Sequence, residues 1–379
     1  VAPHRLTPRL ALAALALAAT LLAAPAPPTA TAASSTMGAP RAGHSATLLL
    51  DDRVLAAGGA ATAAAELYDP ATGQWRATGA LAENRRYHTA TRLPSGLVLI
   101  AGGTDLGTTT RPLASAELYD PASGRWRPAA AMASARTGHS ATLLRDGSVL
   151  VVGGGSESAE RYLPAEDRWA PAAALAAARS DHTATLLTSG EVLVSGGLGA
   201  GGELASAEIY SPAADRWRPT GAMTEGRYFH SATLLSDGRV LVAAGLGSAD
   251  FAWRDTAEIY DPAAGAWRAT ESLANGRAFH TATALADGRV LVAGGEVGMF
   301  GVYFADTQIF NPATGAWRAG PPLLEGRSFH SATLLQDGSL LIAGGGNLSN
   351  ALRSAQRIVR FNPPLQPAIY LPLVAGPRG

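Results

Sequence analysis

The chain has 379 residues, and its thirty basic residues, all of them arginine, balance thirty acidic ones. Nothing in that balance suggests the positive face of a nucleic-acid binder. Cysteine is absent, which excludes disulfides, thiolate metal sites, cysteine nucleophiles and a lipidated cysteine.

His4, Arg5 and Arg9 precede an uninterrupted run of Leu, Ala and one Thr from Leu10 to Ala24, followed by Pro25, Pro27 and Pro28 and then Ala30-Thr31-Ala32. A basic start, a short apolar stretch and a small-residue exit predict a secretory signal peptide over residues 1–33. The run falls short of the ~20 residues a spanning helix needs, so an uncleaved anchor is the lesser alternative. The expected location is secreted, extracellular or in the cell envelope.

From residue 37 the sequence repeats itself. Each unit opens Arg-x-x-His-(Ser/Thr)-Ala-Thr, runs through apolar residues to a Gly pair, then reads Glu-x-Tyr-x-Pro and ends at a Trp. The histidines are His44, His88, His139, His182, His230, His280 and His330, spaced 44, 51, 43, 48, 50 and 50 apart. From His to the second Gly is always 15 residues (His44 to Gly59), and from the Glu to the next His always 22 (Glu66 to His88). All length variation therefore lies between the Gly pair and the Glu, in segments of 6, 13, 5, 10, 12, 12 and 10 residues. A constant frame with one adjustable segment per unit is what stacked supersecondary units with a functional rim should show.

Within a unit, the alternating His-Ser-Ala-Thr-Leu-Leu run predicts a first strand. Asp-Gly turns, as at Asp237-Gly238, lead to a continuous apolar strand such as Val240–Val242. Glu-Ile-Tyr-Asp-Pro supplies a third strand and the Trp segment a fourth. Four short antiparallel strands per unit describe a propeller blade.

The Gly pair, the Tyr after a variable gap and the Trp seven residues beyond it (Tyr68 to Trp75, Tyr210 to Trp217) together resemble the kelch motif. The resemblance spans roughly residues 37 to 370 and implies an all-β fold: a seven-bladed kelch β-propeller, similar to the central domain of galactose oxidase, over residues 37–374. The last blade lacks a Trp. The apolar tail within 365–374 is the expected closing strand, with residues 31–37 as the alternative, since cleavage near Ala33 would leave little chain before blade one.

The repeated residues read first as structural. Tyr and Trp fill the seams between blades, and the histidines, one per blade, are expected to bond neighbouring backbone rather than converge on a metal. The arginines of Arg-x-x-His share a rim with Glu66, Glu117, Glu160, Glu208, Glu258, Gln308 and Gln356, and pairing between them is the structural reading. In kelch substrate adaptors the arginines at the matching position contact ligand, which makes Arg227, Arg277 and Arg327 candidates. The non-repeated rim adds Phe251, Trp253, Arg254 and Asp255 in blade five and Phe300, Tyr303, Phe304 and Asp306 in blade six. Phe229, Phe279 and Phe329, just before their histidines, extend that side. Aromatic rings beside Arg and Asp suit a sugar or a peptide.

No nucleophile–base pair, metal spacing or phosphate loop stands out, so no catalytic residue, metal or cofactor is expected. The lack of cysteine removes the Tyr–Cys crosslink of the galactose-oxidase type. The expected function is a monomeric, non-catalytic module holding an extracellular glycan or protein; the alternative is a mutarotase- or epimerase-like carbohydrate enzyme.

Overall fold

The computed structural model describes residues 31–59, 62–105, 110–247, 252–298, 301–347 and 350–359. Seven four-stranded antiparallel sheets are arranged in a closed ring. In blade one the strands are Ser45–Leu48, Val54–Ala57, Ala65–Asp69 and Gln74–Thr78, and blades two to six repeat that order outward. The first strand of each blade touches those of both neighbours, the last meeting the first, so these strands line a central channel. The second strand is buried along its whole length in blade after blade, whereas the fourth is largely exposed. That gradient explains the continuous apolar runs of the second strands: both faces lie against a neighbouring sheet.

In blades three, five, six and seven the hairpin between first and second strands is built on an Asp-Gly pair. In blade five, Gly238 donates to the Leu235 carbonyl and has φ 86°, and the Asp237 carboxylate accepts from the Arg239 backbone and guanidinium. Only glycine takes that left-handed position cheaply.

The core is divided into seven seams, each shared by two blades. Leu144, Leu150 and Val152 of blade three, for example, pack against Val192, Val194 and Tyr210 of blade four. Each Trp stacks on its own Tyr or Phe with ring centroids 4.9–5.1 Å apart. In blades two to six the indole N–H then donates across the seam to a carbonyl of the preceding blade, as Trp217 does to Ala173 at 2.7 Å.

Closure differs from the sequence expectation. The outer strand of blade seven is Thr31–Arg41, antiparallel to Leu352–Val359 with Ser34 opposite Gln356. The tail 365–374 lies outside the described residues. The argument from chain length fails because a short stretch suffices: the residues from Ala33 to Thr36 already form the ladder before the strand bulges toward Arg41. This strand also makes the seam contacts that the other outer strands and the turns after them make. Met37 fills the buried position held elsewhere by Leu81 or Met132, and the Ser35 hydroxyl accepts from the Trp75 indole at 3.1 Å. Because it runs directly into blade one, it ties both ends of the ring together. Replacing Ser35 by Ala should lower unfolding free energy by about 1 kcal/mol in urea titration, the worth of one such bond.

Among the described residues, no helix is long and apolar enough to cross a membrane.

Candidate binding site at the channel mouth

Three concentric features of the repeat build one end of the channel. The outermost is the arginine of Arg-x-x-His. All seven are sealed from solvent, with exposures of 0–1%. Each donates to the first carbonyl of its own blade's Gly pair (Ala244 in blade five), as Arg179 does to Gly196 at 2.8 Å, and to a carboxylate. In blades one to five the carboxylate is the repeat Glu, at 2.8, 3.0, 2.9, 2.9 and 3.2 Å. Blades six and seven carry Gln308 and Gln356 there, and a different carboxylate moves in: Asp306 on Arg277 at 2.9 Å and Glu325 on Arg327 at 3.1 Å. The glutamines keep the second duty of the Glu, accepting a backbone N–H from Ala274 and Leu324. A buried guanidinium thus has a carboxylate in every blade.

Arg227, Arg277 and Arg327, the arginines singled out from the sequence, are placed in this buried layer. Their guanidinium groups are spent on backbone and carboxylate, and Phe304 covers Arg277 with its ring centroid 4.4 Å from the guanidinium carbon.

The second layer is the histidine ring. Each Nε2 meets the hydroxyl that opens the first strand of the preceding blade: His44 to Ser331, His88 to Ser45, His139 to Thr89, His182 to Ser140, His230 to Thr183, His280 to Ser231 and His330 to Thr281, at 2.8–3.1 Å. The expected bond to backbone is replaced by a bond from blade to blade. Burial, with the nearby arginine second, holds these imidazoles far below their ordinary range: about 3 for His44, His88, His182 and His280 and about 4 for His139. They are neutral spacers, and the Ser/Thr that follows each His in the sequence is the partner the next blade needs.

The innermost layer is the residue just before each histidine. Gly43, Tyr87, Gly138, Asp181, Phe229, Phe279 and Phe329 all have φ between 52° and 66°. Side chains other than glycine reach that region at a cost of about 1–3 kcal/mol, and such strain concentrates at functional positions. The left-handed turn aims the peptide groups around the ring. Gly43 donates to Phe329, Tyr87 to Gly43, Asp181 to Gly138, Phe229 to Asp181 and Phe329 to Phe279, at 2.7–3.1 Å.

Side chains from this belt overlap like tiles. Phe229 lies 4.3 Å from Phe279, which stacks 4.1 Å from Phe329, which reaches Tyr87 at 5.4 Å. Tyr87 can do so because blade one has Gly43, where a Cβ would sit 2.7 Å from its ring. On the far side Gly138 makes the same room for the Asp181 carboxylate. The result is a cavity of about 700 Å³ with an aromatic wall on one side and Arg86, Thr104, Thr137 and Asp181 on the other. Burial raises the Asp181 carboxyl to about 6, and the Ser180 hydroxyl opposes this.

Of the rim residues singled out from sequence, Phe251 and Phe300 lie outside the described residues. Trp253 is half-buried and meets the edge of Phe279 at 6.5 Å, so it buttresses the aromatic wall. Arg254 is mostly buried: it donates to the Gly226 carbonyl at 3.0 Å and faces Glu225 at 3.5 Å and Glu203 at 3.7 Å, joining the segments of blades four and five. Asp255 is exposed, and Tyr303 pairs with Glu296 in a small hairpin. Sequence reasoning found Phe229, Phe279 and Phe329 but missed Tyr87, Asp181 and Arg86. The signal was available, since the position before the His is the one that varies inside an otherwise constant His-(Ser/Thr)-Ala-Thr frame.

Fold and site together define a seven-bladed propeller with a cavity at one channel mouth. The kelch motif matches residues 85–133, which run from Arg85 through the Trp of blade two, and motif and blades together fit a kelch-repeat protein. No curated protein matches the chain in sequence. Among solved structures, one described as a novel fungal alcohol oxidase with catalytic diversity among the AA5 family, in complex with copper, superposes with a TM-score of 0.70 at 18% identity. The match covers 87% of this chain and 76% of that one, and at such identity it speaks for the fold alone. The residues here do not fit a copper centre of that kind. The chain has no cysteine, the described residues contain no cluster of three ligating side chains, and the Nε2 of each of the seven repeat histidines is engaged by a hydroxyl.

Proposed function

We propose that this chain is an extracellular, non-catalytic binding module that holds a glycan or protein segment at the channel mouth. The observation that carries the reading is the belt before the histidines. Seven identical backbone positions are held in a left-handed conformation, five of them by non-glycine residues, while their side chains differ from blade to blade. A purely structural ring would repeat one cheap residue there, as Gly43 and Gly138 show is possible. The cavity falls in the size range of small-ligand sites and combines an apolar wall with few polar groups.

Glycan and peptide arrays on the folded protein test this. Phe279→Gly, which installs the residue blades one and three already carry, should cut binding at least tenfold while leaving the melting temperature unchanged or higher. Retained binding in that variant would remove the channel mouth as the site. Trp253→Ala should weaken the same ligand about threefold to tenfold, through loss of support to Phe279.

A second reading rests on Asp181, whose raised carboxyl near 6 suits a proton carrier at neutral pH. A mutarotase- or epimerase-like activity would then disappear in Asp181→Asn, as followed by proton NMR of sugar anomers and epimers.

A further inference from the structure

Two ionic groups at the channel mouth differ from the charges elsewhere in the repeat frame. The buried arginines have carboxylates, and the Asp residues of the hairpin turns of blades one, five and six have the guanidinium two residues on. Asp181 faces the cavity with the Ser180 hydroxyl as its side-chain donor and, among the described residues, no cation against it. Arg86 lines the same cavity with its guanidinium 4.8 Å from the Tyr87 ring centroid, its Nε is buried without an acceptor, and among the described residues it has no carboxylate partner.

The two flank one cleft. Arg86 and Tyr87 belong to blade two and Asp181 to blade four; the blade between them has Gly138 at the same position, which presents no side chain there, with Thr137 beside it. Burial raises the Tyr87 phenol, Arg86 opposes this, and Glu296 and Asp181 add to it. The rim is lowest there as well: blade three has the shortest adjustable segment, 5 residues, and a Cβ on its Gly155 would meet nothing within 4 Å. The opposite wall is the apolar tiling of Phe229, Phe279 and Phe329. The remaining titratable groups nearby are occupied or neutral: Glu296 accepts from Ser328 at 2.7 Å, and His139, His182 and His230 are uncharged.

We infer that the cleft over Gly138 takes a small zwitterion, its ammonium on Asp181, its carboxylate on Arg86 and its apolar body against the phenylalanine wall. Two opposite charges set apart, with no ion-pair partner among the described residues, are matched by a ligand that carries both, whereas a singly charged ligand leaves one of them buried and uncompensated. An amino acid with an aromatic or large aliphatic side chain has this chemistry, as does a short peptide fragment. The inference rests on the channel mouth being the binding site and adds the class of ligand.

Calorimetric titration with three probes of one shape tests it: L-phenylalanine, 2-phenylethylamine and 3-phenylpropionate. The amino acid should bind at least tenfold more tightly than either singly charged analogue. Asp181→Asn, nearly isosteric and tolerant of the left-handed backbone, should weaken L-phenylalanine and the amine while sparing 3-phenylpropionate. Arg86→Gln should do the converse. Equal affinity for all three, or variants that weaken every probe alike, would overturn the charge assignment. If the three bind equally and all are lost in Phe279→Gly, the channel mouth stands as a site and only the zwitterion fails. If none binds while an arrayed glycan does, and does so through Phe279, the ligand class is refuted and the module is not.

Discussion

Between pH 7 and pH 5 the protein should lose most of its stability, and the histidine ring is the cause. A folded-state pKa held below the unfolded value of ~6.5 means that the unfolded chain binds protons which the native one refuses. Stability is therefore full above pH 6.5 and falls as the pH drops through that value, continuing down to the folded pKa near 3 to 4. At pH 5.5 each imidazole that stays neutral costs about 1.4 kcal/mol relative to alkaline pH. The five rings held at about 3 or 4 then sum to about 7 kcal/mol, and His230 and His330, also held well below their ordinary value, add in the same direction. That is comparable with the ~5–15 kcal/mol of a typical native state.

Other groups do not cancel this. Asp181, raised to about 6, takes up a proton on folding and so gains stability as the pH falls, by less than about 1 kcal/mol at pH 5.5. The surface aspartates paired with arginine, such as Asp237 and Asp51, are lowered and act only at still lower pH. Urea midpoints measured at pH 7.5, 6.5, 6.0 and 5.5 should fall ever more steeply, and proton uptake on unfolding should approach one per histidine. A midpoint flat from pH 7.5 to 5.5 would show that the rings are hydrated or already charged. His182→Gln, which can still bond Ser140, should reduce the uptake by one proton and shift the midpoint at pH 5.5 upward relative to the parent.

Much of this was legible in the sequence because the repeat puts each chemical role seven times in register. The constant interval from His to Gly fixes the first hairpin, and the interval from Glu to His fixes the outer hairpin with the crossing to the next blade. Closure was legible only as the lesser alternative, residues 31–37: Thr31–Arg41 has no Trp and no Gly pair, and a strand that adds an edge through its backbone leaves little trace in side chains. The burial of the arginines was not legible. Charge on a rim reads as accessible until one sees that Arg227 reaches back past its own turn to the Ala244 and Thr256 carbonyls and to Glu258. The aromatic belt was half legible, since three phenylalanines in neighbouring blades stand out, whereas one Tyr and one Asp in the same register read as ordinary variation.

The replacement of Glu by Gln in two blades makes the arginine layer testable by transplanting one blade's solution into another. Blade four has Glu208 on Arg179 and Ser206 two residues earlier, the place where blade six has Asp306. Glu208→Gln alone keeps the acceptor for the Ala176 N–H but leaves the Arg179 guanidinium buried with no carboxylate, which should cost about 3–5 kcal/mol. Ser206→Asp alone brings a second carboxylate to one guanidinium and should be mildly unfavourable. Together the two reproduce blade six, where Asp306 receives both terminal nitrogens of Arg277 at 3.2 and 2.9 Å. The double variant should then recover at least about 2 kcal/mol relative to the sum of the singles, measured as a coupling energy in urea titration at pH 7.5. A coupling near zero would mean that Arg179 is held by the Gly196 and Ser206 carbonyls alone. The carboxylates that replace the repeat Glu in blades six and seven would then be incidental to the fold. A large coupling would instead identify charge neutralisation of a sealed arginine as the constraint each blade must satisfy, leaving only the belt inside it free to vary for recognition.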